Sequence, residues 1–365
     1  MSPQPKPSPL IGAPAPEPIR RPPTIDDVAA LAGVGRATVS RALNDQAHVS
    51  PRMRDKVMRA VEALDYRVNP QARNLASRTS KTLTLINCNS RDAPPNSHYF
   101  AAIEMGALRA AAGVGFELLT YSLHIEDEDR DDRVVELFAS GRTAGLVLSP
   151  PLSADVTLAR RLIEQGCPTV CISPGDDVSA LLPSIGFDEE AAGREIGAHV
   201  IAAGHRRFGY MLGIEGHPAA ERRHDGFLRA LAEAGLGDEA VTALRGDFSF
   251  KSGVDLAEIM LAGPERPTAI VCANDDMAVG TMFAAQRMGL ALPADLTVVG
   301  FDDAPVTGYI WPPLTTIHQP IRQMAARAVE RLVETLLRGH GVMTPGLELV
   351  AHHLVPRDSV APPKG

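Results

Sequence analysis

The sequence predicts an α/β protein in which a small all-α helix-turn-helix head precedes a larger core of parallel sheets divided into two subdomains. Three observations carry this. From Lys81 onward, short apolar runs such as LTLIN, AGLVLSP, PTVCIS, RRFGYML, TAIVCAN and LTVVGFD alternate with helical stretches, the pattern of βαβ units under a mostly parallel sheet. Roughly 280 residues of that pattern exceed what one such sheet needs, so two halves with a ligand cleft between them are expected. Ahead of them, Thr24 to Asn44 reads as two short helices pinched together at Gly33-Val34-Gly35.

Taken in order, residues 1–22 are dense in proline and have no apolar run long enough for a signal segment, so a disordered tail is expected. The head follows over 23–68. Thr24 can cap its first helix with Asp27 answering three residues on, and Val28, Ala29, Leu31 and Ala32 supply the inward side. Gly33 ends that helix in left-handed geometry. On the second helix Val39, Ala42 and Leu43 face inward. Arg36, Ala37, Ser40, Arg41 and Asn44 are left on the outer sides, where a DNA major groove could receive them. Ser50-Pro51 starts a third helix through Val57, Ala60, Val61 and Leu64. Asn69-Pro70 starts a segment of barely two turns, too short to be stable alone in water, and residues 69–80 read as a hinge helix and linker that folds when something orders it. The core is expected over 81–358 and a flexible C-terminus over 359–365.

Charge divides the chain at the same place. Arg20 to Lys81 holds 12 Lys and Arg against 6 Asp and Glu, whereas the whole chain carries −8. The basic part is the part with the helix-turn-helix, as phosphate neutralisation requires.

In open α/β sheets the ligand sits beyond the carboxyl ends of the strands. Asn274 and Asp302 each follow a strand-like run directly. An amide and a carboxylate there, joined by the forked donor of a guanidinium such as Arg223, suit a polyhydroxylated ligand. The plainer readings are that Asn274 caps the next helix, that Asp302-Asp303 is a cap plus a solvated acid, and that Arg222 exchanges roles with Arg223. The acidic run from Glu126 to Asp132 precedes VVELFAS and reads as a helix start on a solvated face instead of a metal site. Cys88, Cys167, Cys171 and Cys272 lack metal spacing and are expected as small buried thiols. No run reaches the roughly 18 apolar residues of a membrane span. No catalytic signature is present, so neither an enzyme nor a cofactor is expected, and a cytoplasmic protein fits.

The head resembles that of the LacI/GalR repressors. It carries T-I-x-D-V-A-x-x-A-G-V, then T-V-S-R-x-L-N, H-V-S-P, and L-x-Y-x-x-N-x-x-A-R-x-L from Leu64 to Leu75. One departure is Gly35, where the family usually has a serine cap; glycine there costs a few tenths of a kcal/mol. The resemblance continues through G-H-R-R at Gly204, R-x-x-G-F at Arg223, A-N-D-x-M-A-x-G at Ala273, V-G-F-D-D at Val299 and P-P-L-T-T-I at Pro312. It implies a periplasmic-binding-protein-like core, crossed by the chain near residues 182, 318 and 346, with Trp311 beside the second crossing. It implies effector contacts at Arg223, Asn274 and Asp302, with Ser153 and Phe248 where relatives place a polar contact and an aromatic platform. It adds His48 to the DNA-facing set and makes Leu75 a minor-groove wedge. The implied protein is a homodimeric repressor on double-stranded DNA with a palindromic operator, controlled by a small, sugar-like effector; the alternative wiring is a purine or other corepressor that promotes DNA binding.

Overall fold

The computed structural model describes residues 23–43, 49–66, 81–91, 98–338 and 343–364. The expectations for the tail, for Asn44, His48 and Leu75, and for the whole hinge segment lie outside them. The chain divides into two compact units, 1–78 and 79–365.

The first unit holds α1 (Ile25–Ala32), α2 (Arg36–Leu43) and α3 (Pro51–Ala63). The capping box at Thr24 forms: its hydroxyl accepts from the Asp27 amide, and Asp27 accepts from the Thr24 amide at 2.8 Å. Gly33 closes α1 at φ 66°, ψ 37°, which only a residue without Cβ adopts freely. The buried core is Val28, Ala29, Ala32, Val39, Ala42, Val57 and Ala60. Leu31, expected inward, is instead 56 % exposed. Val28, Ala29 and Ala32 already fill the inward stripe, and Leu31 falls about 100° from Ala32 around the helix.

Among the described residues the second unit contains twelve strands: β1 (Thr82–Asn89), β2 (Glu117–His124), β3 (Gly145–Leu148), β4 (Thr169–Ile172), β5 (Pro183–Gly186), β6 (Phe208–Leu212), β7 (Val241–Arg245), β8 (Ala269–Cys272), β9 (Thr297–Asp302), β10 (Thr315–His318), β11 (Gly346–Leu349) and β12 (His353–Val355). They form two six-stranded sheets of the same design, β11-β5-β4-β3-β1-β2 and β12-β10-β9-β8-β6-β7. All neighbours are parallel except β10 and β12. Strands β3, β4, β5, β6, β8 and β9 are buried along their whole length, as strands covered on both faces must be.

The chain passes between the sheets three times: after Gly186, after His318 and after Leu349. Two of these lie later than the sequence places them, because residues 182 and 346 stand where β5 and β11 begin. Beyond the first crossing, α8 (Glu189–Ala202) lies against α9 (Pro218–Glu233) of the second half; α4 (His98–Gly113), α5 (Arg130–Ala139), α6 (Val156–Glu164) and α7 (Asp176–Ser179) precede them. α10 (Phe250–Leu261), α11 (Asp275–Arg287) and α12 (Ile321–Leu337) follow. The α8–α9 approach depends on a missing side chain, since a Cβ on Gly193 would stand 2.0 Å from the Arg223 carbonyl oxygen.

The C-terminus corrects the expectation of a flexible end over 359–365. Ser359 is buried; its Oγ donates to the Val298 carbonyl at 2.6 Å and accepts from the Thr315 amide at 2.9 Å. The Ala361 amide donates to Thr297 Oγ1 at 3.1 Å, and Lys364 reaches Asp295 at 2.6 Å. Hydroxyls of the tail and of the second sheet thus take up backbone groups of one another, an arrangement with no periodicity in sequence. The four cysteines are buried free thiols, and burial pushes Cys88 up to about 11 and the other three to about 12. Asp131 and Asp132 open α5, while Asp127 holds Arg91 and Arg133. Among the described residues no helix is long and apolar enough to cross a membrane.

Candidate functional site

On the head, Arg36 opens α2 with its guanidinium 3.7 Å from Asp26, both side chains about two-thirds exposed. Ala37 and Arg41 are exposed and Ser40 is half-buried, while Val39 and Ala42 point inward. The Gly35 carbonyl accepts from the Thr38 amide at 2.8 Å and the Val39 amide at 3.2 Å. Helix α2 therefore starts on backbone bonds where a serine hydroxyl is usual. The outcome is two forked donors flanking a small side chain on one exposed face, a pattern suited to acceptor atoms on guanine edges.

In the core, irregular backbone gathers beyond the strand ends. Ser173 after β4, Phe248 after β7, and Asp302 and Asp303 at the end of β9 have φ of 46°, 67°, 114° and 58°. Residues with a Cβ pay of order 1–3 kcal/mol for such geometry, which persists where surroundings hold it and often where a ligand is held.

Arg223 is the centre of the arrangement. It is buried on α9 between the rings of Phe301 and Phe187, its guanidinium carbon 4.6 and 5.6 Å from their centroids. Its Nε donates to Glu189 at 2.6 Å, one Nη to the Ala273 carbonyl at 2.9 Å, and the other to Gln319 Oε1 at 3.3 Å. Glu189 follows the first crossing and Gln319 the second, so one side chain binds both connections to the end of β8. Burial works against the guanidinium, yet Glu189 and Asp302 hold it in the charged form.

Asp302 lies beside this cation, 8 % exposed, and its carboxylate meets no hydrogen-bond donor among the described residues. Burial pushes it up to about 7 against the pull of Arg223. Asn274 has both of the roles weighed for it. Its Oδ1 caps α11 by accepting from the Met277 amide at 3.0 Å, and its Nδ2 donates to the Phe248 carbonyl at 2.9 Å, leaving one amide hydrogen uncommitted. Phe248 is half-buried, edge-on to His217 at 5.1 Å. His217 caps α9 through Nδ1, and burial, followed by Arg223, lowers its imidazole to about 4. The neutral ring therefore carries its proton on Nε2. Ser153 stands apart from this group, on the first sheet's side, fully buried and donating to the Ser173 carbonyl at 3.4 Å.

Arg223, Asn274, Asp302 and Phe248 are thus brought together. Arg222 does not exchange roles with Arg223; it spans the two halves, donating to Asp176 at 2.8 Å and to the Pro174 carbonyl at 3.0 Å. Sequence reasoning missed Glu189 and Gln319, although both follow strand ends, PSIG and TTIH, by the rule that picked out Asn274.

Comparison with known proteins agrees with this division. Residues 24–69 match the family model for bacterial regulatory proteins of the lacI family, and residues 198–360 match a periplasmic binding protein-like domain. The transcriptional regulator GalR of Escherichia coli K12 is 34 % identical over 353 residues, covering 90 % of this chain and 98 % of the relative. The solved lac repressor dimer bound to operator and the anti-inducer ONPF superposes with a TM-score of 0.81 at 29 % identity, over 93 % of this chain and all of that one. A complex of the transcriptional regulator CelR with cellobiose gives a TM-score of 0.70 at 29 % identity, over 92 % and 99 % of the two chains.

Proposed function

The chain belongs to the LacI family of bacterial regulatory proteins, and from that premise we propose that its core binds a small sugar-like effector that controls operator binding by the head. Members of this family are DNA-binding transcriptional regulators with an effector-binding core, and not enzymes. The observation that carries the sugar reading is the buried polar set beyond β8 and β9: the unpartnered Asp302 carboxylate beside the Arg223 guanidinium and the Asn274 amide. Each hydroxyl of a sugar both donates and accepts, so one ring can meet all three. Ser153 and Phe248 would close on it as a polar contact and a platform. The cellobiose complex of the similar CelR supports the same ligand class.

On the DNA side, Arg36 and Arg41 read base edges, with Ala37 and Ser40 between them and Asn44 and His48 extending the contact. Residues 69–80 act as a hinge, and Leu75 wedges into the minor groove, where unstacking is repaid by a bent, better-wrapped duplex. One short helix reads too few base pairs for genomic specificity, so the reader is a homodimer on a palindrome, in the cytoplasm with its DNA. An exposed apolar groove lined by Phe250, Met282, Phe283, Ile310 and Trp311, with Trp311 79 % and neighbouring Tyr309 85 % exposed, supports such pairing.

A thermal-shift screen of the full chain against sugars and nucleobases tests this, since a ligand at 100 times its Kd adds about 2.7 kcal/mol. A sugar that stabilises the protein and alters its affinity for a selected operator duplex is the expected result. A nucleobase that does so replaces the sugar reading with the corepressor one, and the absence of any such compound removes the effector reading.

A further inference from the structure

The cleft's buried charge points to the chemical class of its ligand. Arg223 is the cation that would meet an acidic sugar, yet its charge is already taken by Glu189 at 2.6 Å, with the two side chains 6 % and 2 % exposed. Opening that pair to serve a ligand anion would strand the Glu189 carboxylate in the interior. The other cation at the cleft, Arg222, is engaged by Asp176 and the Pro174 carbonyl. Asp302, meanwhile, has no counter-ion of its own. Among the buried atoms that lack a hydrogen-bond partner in the described residues are Glu189 Oε1, an acceptor, and Gln319 Nε2, a donor, on the two partners of Arg223. Two buried carboxylates, Glu189 and Asp302, therefore share the buried guanidinium of Arg223.

Resting on the effector reading above, we propose that the ligand is a donor-rich neutral or amine-bearing sugar, that uronic acids and phosphorylated sugars are rejected, and that Glu189 sets this preference by neutralising Arg223. A ligand carboxylate or phosphate adds negative charge beside Asp302 with no counter-ion, and desolvating it there is unfavourable. A hydroxyl or an ammonium group instead donates to Asp302 and to Glu189 Oε1, satisfying both. Gln319 Nε2 is left to meet one sugar oxygen.

Titration calorimetry on the full chain with matched series tests this: glucose, glucosamine, glucuronate and glucose 6-phosphate; galactose, galactosamine and galacturonate; and cellobiose. In whichever series binds, the neutral or amino member is expected to bind at least about tenfold tighter than the acid, a difference of about 1.4 kcal/mol. Glu189→Gln, which frees Arg223, is expected to move the acid-to-neutral affinity ratio about tenfold toward the acid. Asp302→Asn should move the ratio in the same direction, and melting curves identify which variants are folded, so that either one alone carries the test. A uronate or phosphate that binds tightest to the unsubstituted protein, or an unchanged ratio in the folded variants, overturns the inference. Binding by no sugar at all overturns the sugar reading itself and takes this inference with it, a result distinct from tight binding of an acid.

Discussion

The two halves of the core repeat one strand order and differ in what they place beyond the strand ends. In the first half the buried polar groups are neutral, and several bond within the protein: Ser149 Oγ donates to the Ile86 carbonyl at 3.1 Å and lies 3.0 Å from Asn87 Oδ1, and Ser153 holds the Ser173 carbonyl. The second half offers charge: Glu189, Arg223 and Asp302, all at least nine-tenths buried. The same strand order with different buried chemistry indicates that the sheet supplies positions and the residues after each strand supply function. The difference also has an energetic side. A neutral hydroxyl can be removed at the expense of one bond, whereas a charge in a mutually paired group cannot be removed without stranding its partner.

The largest expected effect breaks the charged side outright. Arg223→Met leaves Glu189 buried without a counter-ion and should destabilise the core by about 3–5 kcal/mol in urea unfolding. A loss below about 1 kcal/mol would mean that the pair is not what holds this side together. Next, Asp302→Asn preserves volume but deprives ligand hydroxyls of their charged acceptor, and effector affinity should fall by about 1.5–3 kcal/mol by calorimetry. Removing a hydroxyl from the neutral side is expected to do less: Ser153→Ala should cost about 0.5–1.5 kcal/mol of core stability, and a loss as large as that of Arg223→Met would erase the contrast between the halves.

The same contrast has a pH signature. Burial holds Asp302 at about 7, with Arg223 opposing it and Asp276 and Glu189 adding to it, against 3.8 for the ordinary side chain. Between these values the native state keeps a proton that the unfolded chain has released, so this group's contribution falls as pH rises through about 4 to 7. Melting curves of the unliganded protein across that window should slope downward more than those of Asp302→Asn. Parallel slopes would show that Asp302 ionises normally.

How much of this was legible in the sequence follows from the range of the interactions. The head is local: the Thr24–Asp27 box, the Gly33 stop and the inward valines lie within a few residues of one another. Asn274 and Asp302 were legible because each follows an apolar run at once. The partners of Arg223 were not, since Glu189 and Gln319 lie 34 and 96 residues away and no periodicity connects them. Asn274 shows the limit from the other side, as one amide serves both as helix cap and as tether to Phe248. The ordered C-terminus escaped notice for the same reason, its contacts being to β9 and β10 more than forty residues earlier.

That the charged side of the cleft senses and the head reads can be tested in one titration. Fluorescence anisotropy of a selected operator duplex is measured with the unsubstituted protein and with Asp302→Asn, each with and without the sugar identified by thermal shift. Without sugar the two proteins should bind the operator equally. With sugar the unsubstituted protein should change its operator affinity by about tenfold, about 1.4 kcal/mol of coupling, while the variant stays where it was. A variant that responds like the unsubstituted protein, or that loses operator binding before any sugar is added, would contradict the division between sensing and reading.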